Sequence, residues 1–274
     1  MNRKASPMGR LLLVMTFIFL YLPIFVLIVF SFNNSKSRSV WSGFTFDWYS
    51  KLFTDAAVLN SLYVTLLVAV LSALVATVIG TFAAIGFFNM RRRWRNPLLT
   101  VNNIPVVNAD IITGVSLALL FISAGAALGF NLGFGTLLIA HISFNIPYVI
   151  LSVMPKLYQM DKNLIEAAQD LGCTWPKALR KVLIPEIMPG IVNGAIIAFT
   201  MSIDDFVISY FTAGSQVQTL SMTIYSMTRR RVSPEINAIS TLLFAAVLLC
   251  LVIVNVREVR QERARAAAAL KGKK

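Results

Sequence analysis

Glu166-Ala167-Ala168-Gln169-Asp170-Leu171-Gly172, continuing through Cys173 to Pro185, is the polar stretch on which the reading of this chain turns. Long apolar runs close in on it from both sides, so it is either a connector or a docking surface. Locally it reads as an elbow of two short helices. Asp161 suits the N-cap of a first helix of about three turns, and Gly172 suits the residue just past its C-terminus. Thr174 suits the cap of a second helix, with Pro176 in its first turn, where a missing N–H costs little. Pro185 and Pro189 mark where the chain re-enters the apolar region. Ala167 and Ala168 form a small-residue patch beside the carboxylate of Glu166. Such a patch fits a groove on another protein better than it fits lipid, yet a solvated connector between two membrane helices explains the local pattern equally well.

The flanking runs set the class. With 57% hydrophobic residues, 14% charged residues and a mean hydropathy of +0.73, the chain is expected to be an all-α membrane protein. Six apolar runs are long enough to cross a bilayer, at 11–32, 58–88, 104–128, 133–153, 188–212 and 236–256. The net charge of +13 hints at nucleic acid, but its placement excludes that reading. With both termini cytoplasmic, nineteen of the basic residues fall inside, among them Arg91 to Arg93, Arg95 and the tail beyond Val256, and six fall outside. The positive-inside rule therefore fixes the orientation, and the elbow at 161–185 lies in the cytoplasm. Leu11 to Phe32 is too long for a signal-peptide core and is read as a retained first span. Cys173 and Cys250 lie on or near the cytoplasmic side, so no disulfide is expected. The single histidine, His141, sits in an apolar span without a second ligand at metal spacing, which favours packing or hydrogen bonding.

Polar residues inside the spans are the candidate functional positions. Asn102, Asn103, Pro105, Asn108 and Asp110 precede a clean apolar run and must face protein or water. Asn145 and Pro147 permit a kink in the fourth span. Thr200-Met201-Ser202-Ile203-Asp204-Asp205-Phe206 is costlier, because each charged side chain near the membrane centre costs about 2.5–3.5 kcal/mol. Asp204 lies about 24 Å along a helix that begins near Met188, in the outer half of the membrane. Neighbours on a helix point about 100° apart. One carboxylate is thus expected to line a pathway while the other pairs with a neighbouring helix or caps a broken segment. A buried pair that only fixes packing is the alternative. Outside the membrane, the aromatics from Trp41 to Tyr49 fit an interfacial belt. Leu220 to Met227 is too short to span and is expected to lie at the interface.

No engine is visible. The chain has no G-x-x-x-x-G-K-[S/T] phosphate loop and no Ser–His–Asp or metal constellation. It is expected to be a transporter or a subunit driven by another protein, and not an enzyme. A stand-alone secondary transporter should carry internal repeats with paired broken helices, which are not apparent. A membrane scaffold would have no need of acidic residues within a span.

Glu166-Ala167-Ala168, then Gly172 four residues after Ala168 and Pro185 thirteen beyond that, resembles the EAA loop of ABC importer permeases, although Ile184 stands where that family usually has Leu. Ser31 to Ser35, Trp41 to Tyr49, Ser202 to Asp205 and Ser233 to Ala238 resemble, in the same order, the spermidine/putrescine importer permeases of the C type. Ala109 departs from the frequent proline of those relatives. The resemblance implies a type I importer permease fold (MetI-like) with six spans, in the bacterial inner membrane. It implies a second permease subunit, two ATPase subunits that carry ATP and Mg, and a periplasmic polyamine-binding protein, with no cofactor on this chain. It further implies that Glu166, Ala167, Ala168, Gly172 and Pro185 couple to the ATPase. Asp204 or Asp205 would accept a substrate ammonium group, with Asp110 further inward. Another small cationic solute, such as an opine or thiamine, is the alternative cargo.

Overall fold

In the computed structural model, residues 7–35, 40–161, 163–230 and 235–249, with positions 252 and 256, are described. Arg3, Lys4, Lys36, Arg38, Lys162, Arg231, Ser233, Pro234 and Cys250, most of the last span beyond Leu249 and the basic tail lie outside the described residues. The helices are α1 (Pro7–Phe30), α2 (Asp47–Leu52), α3 (Ala56–Asn89), α4 (Arg92–Val107), α5 (Asp110–Leu128), α6 (Phe134–Gln159), α7 (Asn163–Asp170), α8 (Trp175–Ala178), α9 (Ile184–Asp204), α10 (Val207–Thr212) and α11 (Leu220–Arg230). The apolar helix Glu235–Leu249 is α12. A π-helical turn, Leu179–Leu183, joins α8 to α9. Among the described residues, five helices are long and apolar enough to cross a membrane, and α12 is shorter. The chain divides into two compact units, one within 1–60 and 223–253 and the other within 61–222 and 254–274.

In the first unit, α1 is apolar on every side and buries none of its length, as a lipid-facing helix would. The segment after it folds on itself. Asn33 is buried and organises it, donating from Nδ2 to the Val40 carbonyl at 2.8 Å and accepting the Ser42 N–H at Oδ1 at 3.0 Å. The Trp48 indole N–H donates to the Asn33 carbonyl at 2.8 Å. Phe32 then stacks on Phe44 at 5.2 Å, while Phe46 meets Phe44 edge-on at 5.0 Å. Aromatic pairs at these separations gain about 0.5–1.5 kcal/mol each beyond their burial.

The second unit is a bundle in which α6 and α9 pack extensively against each other. Lipid offers no hydrophobic drive for helices to associate, so packing depends on how closely backbones approach. Gly190 and Gly194 of α9, one turn apart, supply that approach. A Cβ on Gly190 would stand 3.0 Å from the Ser152 carbonyl oxygen, and one on Gly194 would stand 3.2 Å from the Val149 Cα. Around this crossing Ala76, Val149, Val153, Leu157 and Ile187 are fully buried or nearly so.

Several expected boundaries move, each for a local reason. The third span does not run from 104 to 128: the polar prefix belongs to α4, and Asn108 and Ala109 are extended before α5 starts at Asp110. Ala109 adopts φ −67°, the value a proline ring would impose, so this break forms without the proline. The fifth span does not run unbroken from 188 to 212, since α9 ends at Asp204 and α10 begins at Val207. At its other end the fifth span begins well before Met188, because Trp175–Asp204 is continuous helix. Pro185 does not interrupt it. A proline lacks the N–H for the usual bond and crowds the carbonyl four residues back. The π-helical turn absorbs that defect, with the Ile184 N–H bonding the Leu179 carbonyl instead. Leu220, the first residue of the 220–227 segment, is buried, its N–H donating to Thr65 Oγ1 at 2.8 Å.

Candidate functional site

The elbow forms much as its residues dictate. Asp161 accepts the Asn163 N–H at 3.0 Å through Oδ1, and α7 runs two turns, shorter than expected. Gly172 stands at φ +84°, where a side chain would be strained. The Gly172 N–H reaches the Gln169 carbonyl at 2.8 Å and the Cys173 N–H reaches that of Ala168 at 3.0 Å. This is the Schellman closure, which satisfies two carbonyls left over at the helix end. Thr174 starts α8 through its carbonyl, and its hydroxyl makes no capping bond. Cys173 is a free thiol.

The elbow presents an apolar stripe to the outside. Leu164, Leu171 and Trp175 are 41%, 88% and 51% exposed, and Ala167 lies exposed between the first two. Glu166 and Gln169 face a cleft of about 500 Å³ whose walls include Arg95, Tyr158, Ile165 and Trp175. Arg95 stacks over the Tyr158 ring at 5.5 Å, tying α4 to the end of α6. Pro185 is exposed beyond the π-helical turn. Glu166, Ala167, Ala168 and Gly172 are thus gathered on one short element, with Pro185 on the helix that follows it.

The acidic pair divides at the break after α9. Asp204, the last residue of α9, is exposed. Asp205 is turned inward with its side chain 7% accessible. Its Oδ1 accepts the Ile208 N–H at 3.2 Å, and its Oδ2 accepts both the Ser209 N–H and the Ser209 hydroxyl at 2.8 Å. The carboxylate therefore supplies acceptors for N–H groups that α10 cannot satisfy within itself. A break inside a membrane needs this, since lipid offers those groups nothing. Asp110, at the start of α5, lies within electrostatic range of Asp204 and of the Tyr148 phenol. Tyr148 packs edge-on against Phe144 at 5.2 Å, and Phe206 and Tyr210 lie 5.5 Å apart on the far side of the break. Asp110 thus lies within electrostatic range of Asp204 at the break, and aromatic pairs stand on α6 and across the start of α10.

Behind the break lies a buried polar row that the linear pattern does not announce. His141 Nδ1 lies 2.6 Å from Ser202 Oγ, and Nε2 lies 3.0 Å from Ser209 Oγ and 3.5 Å from Asp205 Oδ2. Ser202 Oγ is 3.1 Å from Ser72 Oγ, which accepts from Asn145 Nδ2 at 3.3 Å. Ser72, His141, Asn145, Ser202 and Ser209 are all buried. One sequence signal was available: His141 and Asn145 are four apart on an apolar helix, so they share a face. Ser72 and Ser209 had no such mark. Among the described residues, no group of three or more His, Cys, Asp or Glu side chains could hold a metal ion.

The comparisons with known proteins agree with this architecture. Residues 76–264 match the family described as binding-protein-dependent transport system inner membrane component. The chain is 38% identical to the putrescine transport system permease protein PotI of Escherichia coli (strain K12) over 245 residues, 88% of this chain and 87% of that one. It is also 38% identical to the spermidine/putrescine transport system permease protein PotC of the same organism over 248 residues, 89% of this chain and 92% of the relative. Among solved structures, a bacterial ABC transporter involved in the import of the acidic polysaccharide alginate superposes with a TM-score of 0.68 at 14% identity, covering 90% of this chain and 94% of that chain. At that identity the likeness speaks for the fold alone, and the fold is that of an ABC importer permease. Taken with the family match, which spans more than half of its length, this chain belongs to the binding-protein-dependent transport system inner membrane components.

Proposed function

We propose that this chain is the permease subunit of an ATP-driven importer that carries polyamines, putrescine or spermidine, across the inner membrane into the cytoplasm. The observation that carries the reading is the exposed carboxylate of Asp204 at a helix break, with Asp110 in electrostatic range and aromatic rings on both sides. A flexible polycation needs such a route: carboxylates to accept its ammonium groups and ring faces to hold it by cation–π contact. The 38% identity to two permeases named for putrescine and spermidine supports the same cargo.

The driver sits on other chains. Glu166, Ala167, Ala168 and Gly172 form an exposed elbow with an apolar stripe, the surface expected where a separate ATPase subunit, holding ATP and Mg, docks. A second permease subunit and a periplasmic polyamine-binding protein complete the importer. Uptake of labelled putrescine and spermidine by cells whose polyamine import depends on this chain tests the reading. Asp204→Asn should lose most uptake while the complex still assembles. Full uptake of both polyamines by assembled Asp204→Asn would place the route elsewhere, and no uptake of either by the wild type would reject the cargo.

A further inference from the structure

We infer that His141 is the positioning residue of this pathway, holding the α9–α10 break in the one geometry that turns Asp205 inward and leaves Asp204 open. The inference rests on the reading that Asp204 meets the substrate, and it assigns a task to a residue that itself meets none.

The geometry carries it. The imidazole lies between the two arms of the break, with Nδ1 on Ser202 of α9 and Nε2 on Ser209 of α10, at 2.6 and 3.0 Å. One arrangement of protons serves every contact between the side chains of the row, with Asn145 Oδ1 left as its one buried acceptor without a partner. Asn145 Nδ2 donates to Ser72 Oγ, the Ser72 hydroxyl donates to Ser202 Oγ, and the Ser202 hydroxyl donates to His141 Nδ1. On the other side, the Nε2–H of His141 donates to Ser209 Oγ and the Ser209 hydroxyl donates to Asp205 Oδ2. In this arrangement every donor points the same way, from Asn145 to Asp205. Four helices, α3, α6, α9 and α10, contribute to it, and no other side chain in the row bridges the two arms. A row of this kind favours one packing because moving either arm would break at least one of these buried bonds. Asp205 alone caps α10, but it does not tie α10 back to α9. His141 does.

The consequence is specific. A side chain that accepts on one side and donates on the other can stand in for the imidazole, and a purely apolar one of similar bulk cannot. His141→Gln carries both functions on its amide, and His141→Leu carries neither. The test uses the assembled importer in its native membrane. First, putrescine uptake is measured over a range of concentrations for both variants. His141→Leu should raise the KM about tenfold, the scale of losing one buried hydrogen-bond pair, while His141→Gln should stay within about threefold of the wild type. Second, Asp204→Cys in a chain with Cys173→Ser and Cys250→Ser is labelled with a membrane-impermeant maleimide. Labelling should slow about tenfold when His141→Leu is added and recover with His141→Gln.

If His141→Leu leaves both labelling and KM unchanged, or if His141→Gln is as impaired as His141→Leu, the inference is overturned. Should His141→Leu fail to assemble, Ser209→Ala, which removes one arm's anchor, takes its place with the same expected slowing and the same overturning result. Asp204→Asn keeps the two readings apart. If it transports normally while His141→Leu still slows labelling at position 204, the pathway reading fails and the positioning role stands.

Discussion

Exchanging Asp205 for Asn separates the two adjacent carboxylates by what each one does. Three donors converge on the two oxygens of Asp205: the Ile208 N–H on Oδ1, and the N–H and hydroxyl of Ser209 on Oδ2. Asn keeps one oxygen and replaces the other with an NH₂ group. Whichever way the amide lies, that NH₂ faces at least one N–H or O–H donor, and one buried donor is left without an acceptor. Losing a charge-assisted bond and stranding a buried donor together cost about 2–4 kcal/mol. In a chain of this size that should lower the melting temperature of the purified complex by about 5–10 °C. Asp204→Asn should melt within about 2 °C of the wild type, because an exposed side chain outside the buried row has little stability to lose. The assay is thermal unfolding of the detergent-solubilised complex, with both variants run beside the wild type. If Asp205→Asn melts with the wild type while Asp204→Asn is destabilised, the roles of the two carboxylates are reversed and the reasoning fails.

Three further outcomes are expected. Gly190→Ala places a Cβ 3.0 Å from the Ser152 carbonyl oxygen and should destabilise the purified chain by about 1–3 kcal/mol, whereas Gly86→Ala meets nothing within 4 Å and should match or exceed wild-type stability. Thermal unfolding of the pair reads the difference, and equal losses would refute the close crossing. Gly172→Asp forces a side chain into φ +84° with open space around it, so its strain of about 1–3 kcal/mol should fall on the elbow alone. Reduced co-purification with the ATPase, or unstimulated ATPase turnover, at normal levels of inserted chain is the expected result; normal values for both count against coupling through the elbow. Asn33→Ala removes the side-chain bonds to Val40 and Ser42 and should make the 40–49 segment a site of rapid external proteolysis. Unchanged protease resistance would mean the aromatic cluster holds that segment by itself.

The long apolar helices were legible in the sequence because bilayer thickness sets a length that composition alone satisfies. The elbow was legible for a similar reason: its cap and its glycine act within a few residues. The breaks before Asp110 and after Asp204 were not. Each occurs inside a run that hydropathy reads as continuous, and each is decided by backbone groups finding partners elsewhere. Asp205 reaches only four residues ahead, so its capping role could be foreseen as one option, but its inward turn could not. That turn depends on His141, sixty-four positions away in the chain. Ser72 illustrates the limit further, because a serine in an apolar helix carries no mark of which neighbour it will meet. The cluster formed by the aromatics from Trp41 to Tyr49 was hidden for a different reason. A belt of separate rings and a folded cluster use the same residue types, and the bonds of the buried Asn33 that fold the segment are not visible in a linear pattern.

The π-helical turn at Leu179–Leu183 has a mechanical consequence. By carrying the helix past Pro185, it leaves Trp175 to Asp204 as 30 residues of continuous helix, about 45 Å measured along its axis. One end begins at the elbow and the other ends at the exposed carboxylate. Gly190 and Gly194, where the helix presses closest on α6, lie near its middle. Were the helix to pivot there as a rigid body, with two arms of about 20 Å, a tilt of about 5° would carry each end by about 2 Å in opposite directions. A push delivered at the elbow would then arrive at Asp204 reversed in sense.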